Sequence, residues 1–154
     1  MSFRITGLPA AEFADLFSLD DEALRGRRAV RQAVDAKFSF PCRVSLTDAE
    51  PGDQVILVNY EHQRADTPYR ASHAIYVRAG EATYDAVDTV PDQLRRRVLS
   101  LRAFDANDMI VGAELVDGRT LEDGVATLLA DRRAAYLHAH FAKFGCYAAR
   151  IERA

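Results

Sequence analysis

Residues 136–151 read "YLHAHFAKFGCYAARI", and this stretch decides the fold. Tyr136, His138 and His140 alternate with Leu137, Ala139 and Phe141, a period of two that belongs to a strand. "AKFG" then supplies a turn, and Cys146–Ile151 alternates again. The stretch therefore predicts a β-hairpin. With His140 set opposite Cys146, His138 meets Ala148 and Tyr136 meets Arg150. That register, or one shifted by two residues, puts the polar side chains of both strands on one face. A slip of one residue would reverse one strand's face.

Working outward, strands dominate. Phe3–Thr6 reads as a short strand and Pro9–Leu19 as a helix, with proline at its start and Phe13, Leu16 and Phe17 at helical spacing. Arg25–Ala36 is ambiguous: Val30 and Val34 stand four apart, but strand pairing can override that. Pro41–Thr47 alternates, and "AEPGD" (49–53) is a turn, so 41–47 and the apolar run Val55–Tyr60 read as a hairpin. "HAIYVR" (73–78) is a further strand. Pro91–Arg97 forms a turn or two of helix. "LSLRAFD" and "MIVGAELV" flank a second turn. Thr120–Leu129 reads as a helix capped by Thr120, with Leu121, Val125, Leu128 and Leu129 as its apolar stripe. The expected fold is α+β, one domain over residues 1–154. A curved, mainly antiparallel sheet or partial barrel carries two or three peripheral helices.

The bulk properties narrow the function classes. The chain has 154 residues, 49% hydrophobic and 28% charged, with a net charge of −3. One ordinary globular core fits that composition. The charge balance argues against general nucleic-acid or anionic-membrane binding. No apolar run reaches membrane-spanning length and no leader pattern opens the chain, so a cytoplasmic setting is expected. Cys42 and Cys146 are then expected as free thiols. Lys37 and Lys143 are the only lysines, and this arginine bias weakens arginine number as a sign of anion binding. The run Arg95–Arg97 reads as the solvated end of a short helix. No phosphate-binding glycine loop or nucleophile elbow is present.

Candidate site residues come from the polar faces. The hairpin offers His138, His140 and Cys146 as catalytic candidates and Arg150 as a ligand clamp. His62 ends one strand and His73 opens the next, with Arg70 in the loop between them. Arg43, beside Cys42 in "FPCRVSL", completes the set of ligand-binding candidates. Three readings stay open: a solvated or hydrogen-bonded face, a His138–His140–Cys146 metal site, and a pocket for a small polar or anionic molecule with histidine as donor or acid/base. Cys42 reads either as an inert buried thiol or as a nucleophile. A non-enzymatic alternative is a homodimer or partner surface built from Tyr69, Tyr76 and Phe144. The sequence leaves any cofactor undetermined.

The segments "FPCRVSLTDAEPGD", "LVNYEHQ", "PYRASHAIYVR", "RRRVLSLRAFD" and "YLHAHFAKFGCYAARIERA" resemble a small bacterial single-domain family, domain-of-unknown-function family 1203. The resemblance spans nearly the whole chain. Its distinctive parts are Pro-Cys-Arg and His-x-His…Gly-Cys-Tyr. It implies no activity, cofactor or functional residue. Phe144 departs from the pattern, where a proline is expected before the glycine.

Overall fold

The computed structural model describes the whole chain, Met1–Ala154, as two antiparallel sheets with short helices at their margins. The larger sheet is built from β1 (Phe3–Thr6), β5 (Asp85–Val87), β6 (Val98–Phe104), β7 (Ile110–Asp117), β8 (Tyr136–Phe141) and β9 (Tyr147–Arg153). Its order is β5-β1-β9-β8-β6-β7. The smaller sheet has order β2-β3-β4, from Ala29–Ala33, Gln54–Gln63 and Ala71–Val77. The helices are α1 (Asp21–Gly26), α2 (Asp92–Arg95) and α3 (Leu121–Ala130). The sheets do not close into a barrel, because β5 and β7 remain edges of one and β2 and β4 of the other.

The α+β class and the antiparallel sheet stand, while several local expectations change. Pro9–Leu19 is not one helix but two short 3-10 turns, Ala10–Glu12 and Ala14–Ser18. The hairpin expected between 41–47 and 55–60 does not form. Residues 41–48 make only isolated bridges, Pro41 to Asp48 and Cys42 to Tyr76. The upstream partner of β3 is β2, with Val30 opposite Leu57. Pairing with β3 thus settles the Arg25–Ala36 ambiguity: the helix stops at Gly26 and a strand follows. Helix α3 forms as expected, and Leu121, Val125, Leu128 and Leu129 are all buried. Thr120 occupies its N-cap position without a capping bond; its hydroxyl donates back to Asp117 O.

Strand β8 lies in the middle of this arrangement, and all six of its residues are buried. Leu137, Ala139 and Phe141 join Leu99, Leu101, Ile151 and the α3 stripe in the main core. The opposite face meets the smaller sheet, where Tyr147 packs into a second core with Val44, Ile56, Val58 and Ile75. The hairpin takes the register shifted by two: His138 pairs with Arg150 and Ala139 with Ala149. A bulge then brings Tyr147, not Cys146, opposite His140. Gly145 closes the turn at φ +78, a conformation that costs glycine nothing and other residues about 1 kcal/mol.

Candidate functional site

Two groups of polar side chains collect where the sheets meet. The first lines a cavity of ≈ 590 Å³ between the 38–43 segment, β4, the end of α2 and the β8–β9 turn. Arg43, Arg96, Arg97 and Lys143 contribute positive charge to its wall, and His73, Tyr76 and Cys146 contribute polar atoms. Phe38, Phe141 and Phe144 are its aromatic surfaces, and no carboxylate belongs to the lining.

Arg43 is the anchor of this wall and is 1% exposed. Its Nε donates to Tyr147 O at 2.6 Å and its Nη1 to Pro41 O at 2.5 Å. Its Nη2 donates to Cys146 Sγ at 2.9 Å, so guanidinium and sulfur meet directly in the wall. Burial, the largest influence, pushes the Arg43 pKa down to about 10, so the group stays charged at neutral pH. Arg97 is equally fixed. It forks onto Asp48 at 2.7 and 3.1 Å and donates to the carbonyls of Gln93 and Phe38. Both guanidinium carbons lie over the Phe141 ring, 4.6 and 4.9 Å from its centre. Arg96 and Lys143 are looser. Arg96 lies over Phe38 and reaches Asp92 only at 4.0 Å. Lys143 lies 5.8 Å from the Phe144 ring centre and forms no ion pair. His73 Nδ1 donates to Ala74 O at 3.0 Å, since a carbonyl can only accept.

The second group is a cluster of imidazoles between β3 and β8. His62 lies 5.0 Å from His140 and 6.2 Å from His138, centre to centre, and His138 lies 6.3 Å from His140. Tyr147 stacks on His62 at 5.3 Å and meets the other two rings edge-on. His138 and His140 are 4% and 1% exposed, so neither is solvated, while the hydrogen-bonded form of that reading holds for His140, whose Nδ1 meets Gly145 O. Burial, foremost, drives the pKa of His62 down to about 4 and those of His138 and His140 to about 3. Positive neighbours, Arg102 among them, push in the same direction. The three imidazoles are therefore neutral at pH 7.

The candidates named from sequence thus divide between two places. His62, His138 and His140 come together, while Arg43, His73 and Cys146 line the cavity. Arg150 pairs with His138 across the ladder but turns its guanidinium over Tyr136, 3.9 Å from the ring centre, and onto Glu152. Arg70 lies outside both groups, exposed and paired with Glu61. Cys42 is fully buried in the second core. No three His, Cys, Asp or Glu side chains are grouped so as to hold a metal ion, and His138, His140 and Cys146 are not such a group. Sequence reasoning missed Arg96, Arg97, Lys143 and Arg102. Arg102 was legible: it alternates with Leu101 and Ala103, which fixes it on the polar face of β6. Arg96 and Arg97 were set aside as solvated, and nothing local signals that the 38–43 segment folds against them.

An α+β protein with two facing antiparallel sheets and an arginine-lined cavity is what these elements define. Residues 39–153 match the family described as protein of unknown function (DUF1203), and the chain belongs to that family. Neither the curated proteins nor the solved structures include a match to the chain.

Proposed function

We propose that the protein binds a small anionic molecule with an apolar portion in the Arg43–Cys146 cavity. The observation that carries this reading is the lining: four cationic side chains, three phenylalanines and no carboxylate around ≈ 590 Å³. That volume suits a small metabolite-sized ligand. Arg43 and Arg97 are held rigidly by protein acceptors, so they supply a fixed positive field. Arg96 and Lys143 are free to turn their donors to a carboxylate or phosphate. Phe38 and Phe144, both exposed at the rim, offer flat surfaces to the ligand's apolar part. Any acid–base step falls to His73, which lines the cavity with its ring oriented by the Ala74 bond.

Titration calorimetry with aromatic and aliphatic carboxylates and phosphates, each against its neutral amide or alcohol, tests the reading. The charged member of a pair is expected to bind and its neutral counterpart to bind at least tenfold more weakly. Affinity should fall as salt rises. Lys143→Ala and Arg96→Ala should each weaken binding severalfold while melting within a few degrees of the parent. Equal binding of neutral analogues, or no anion binding at millimolar concentration, overturns it. On the same footing we assign the protein to the cytoplasm, since both cysteines are free. No helix is long and apolar enough to cross a membrane. The homodimer alternative keeps Phe144 and Tyr69 as exposed aromatics but loses Tyr76, which is half-buried and bonded to Gln32.

A further inference from the structure

We infer that Arg102 and the imidazoles of His62, His138 and His140 form a second site, separate from the cavity, that takes a protonated oxyanion such as hydrogen phosphate. Arg102 sits directly across the ladder from His138 on β6, and Arg150 stands opposite His138 on the other side. Two guanidinium-bearing residues thus flank one imidazole on a single sheet face. Arg102 is half-buried and has no hydrogen bond or ion pair; burial alone lowers its pKa. The other arginines lacking a side-chain partner, Arg25, Arg28 and Arg132, stand in solvent, where water serves them. Beside Arg102, three buried imidazole nitrogens also have no partner: His62 Nδ1, His138 Nδ1 and His140 Nε2. Leaving a buried polar group unpaired costs about 1–3 kcal/mol, so a fold seldom gathers three. No carboxylate hydrogen-bonds to any of the four side chains.

The chemistry of His140 narrows the ligand. Its Nδ1 lies 3.0 Å from Gly145 O and must carry the proton, so Nε2, buried and without a partner, keeps the lone pair. An anion that only accepts, such as sulfate, would oppose that lone pair. Hydrogen phosphate, or a phosphomonoester bearing one proton, donates its O–H to Nε2 and accepts from Arg102. His62 and Arg102 are half-buried, so the cluster reaches the surface on their side. Tyr147 and Phe104 wall the other sides with aromatic rings.

The test uses the intact protein with inorganic phosphate and sulfate as probes, read by calorimetry and by the imidazole Cε1–H resonances. Phosphate should bind and shift the His138 and His140 signals, and sulfate should bind at least tenfold more weakly. Arg102→Met should reduce at least tenfold the phosphate affinity read at the His138 and His140 resonances, while Lys143→Ala, which alters only the cavity, should leave the affinity read at those resonances in place. Arg102→Lys, retaining the charge, is expected to keep part of the affinity and provides the comparison should the methionine variant fail to fold. Equal affinity for sulfate, undisturbed imidazole signals, or binding lost in Lys143→Ala but kept in Arg102→Met would overturn the proposal. The last result would move the phosphate to the cavity and leave the cavity reading intact.

Discussion

Arg43 carries its charge into the protein interior with carbonyls and a sulfur, rather than a carboxylate, around it. Its fork ties Pro41 to Tyr147, two positions far apart in sequence that belong to different parts of the fold. Removing it takes a donor from two buried carbonyl oxygens and opens a hole beside Phe141. Arg43→Ala is expected to lower stability by roughly 3 kcal/mol in urea denaturation, on the scale of unpaired buried groups. Arg43→Lys should recover part of this, since an ammonium cannot reproduce the planar fork. A change below about 0.5 kcal/mol in Arg43→Ala would show that the fork is not structural. Phe38 presents the opposite balance. It adopts φ +59, a left-handed conformation that costs a bulky residue roughly 1 kcal/mol, while its ring stays half exposed under Arg96. Phe38→Asn should therefore leave stability unchanged or raise it by up to about 1 kcal/mol. The same variant should weaken anion binding. Retained affinity would remove Phe38 from the ligand surface.

At the scale of a strand, β8 shows what a period of two conveys and what it conceals. Alternation correctly gave the faces of His138 and His140, and the allowed shift of two residues covers the pairing His138 to Arg150. It gave no sign that a second sheet covers the polar face, because burial on that side depends on β3, some eighty residues upstream. The consequence is a pH dependence with a definite sign. In the unfolded chain a histidine titrates near 6.5. In the fold, burial holds His62 at about 4 and His138 and His140 at about 3. The unfolded state therefore binds more protons between these values, and stability falls as pH drops. His138 and His140 keep their full contribution above pH 6.5 and lose it progressively towards pH 3. The slope approaches about 1.4 kcal/mol per pH unit for each fully buried imidazole. Arg102, Arg150, His73 and the neighbouring imidazoles act with burial in this, and Glu61 weakly against it at His62. Urea midpoints measured from pH 7.5 to 4.5 should fall steeply below 6.5, and His140→Phe should flatten the curve. A midpoint independent of pH across that range would mean that the imidazoles are reached by water. The expected pairing of 41–47 with 55–60 failed for a related reason. Its turn residues are real, with Gly52 at φ +97, but Val34 rather than Pro41–Thr47 hydrogen-bonds across that turn.

For the whole molecule, the question is how two sheets with open edges behave as one body. Local patterns supplied most strands of each sheet, yet which strands pair was not legible, since β1 joins β9 from opposite ends of the chain. Nor was the seam. It consists of the Arg43 fork, the stack of His62 on Tyr147, and a relay in which Gln63 Nε2 donates to Tyr136 Oη at 2.9 Å. Tyr136 Oη in turn donates to Asp108 Oδ1 at 2.5 Å, so one hydroxyl links β3, β8 and the β6–β7 turn. Apart from the local Pro41 arm of the fork, every one of these contacts joins residues more than twenty-five apart, beyond any periodicity. Because the second core mixes Tyr147 of the larger sheet with Ile56, Val58 and Ile75 of the smaller, the face each sheet turns to the other loses its cover if they part, although α3 still covers the far face of the larger sheet. Unfolding should therefore be a single cooperative event. Circular dichroism and tyrosine fluorescence are expected to trace coincident urea transitions. Tyr136→Phe should displace both together by about 1–2 kcal/mol, the scale of a hydroxyl that both donates and accepts in a buried setting. Amide exchange should agree, with Leu137–Phe141 released only by global unfolding and the edge strands β2, β5 and β7 opening locally. Two separated transitions, with Tyr136→Phe shifting only the smaller sheet's signals, would instead make the seam an interface between independently stable parts.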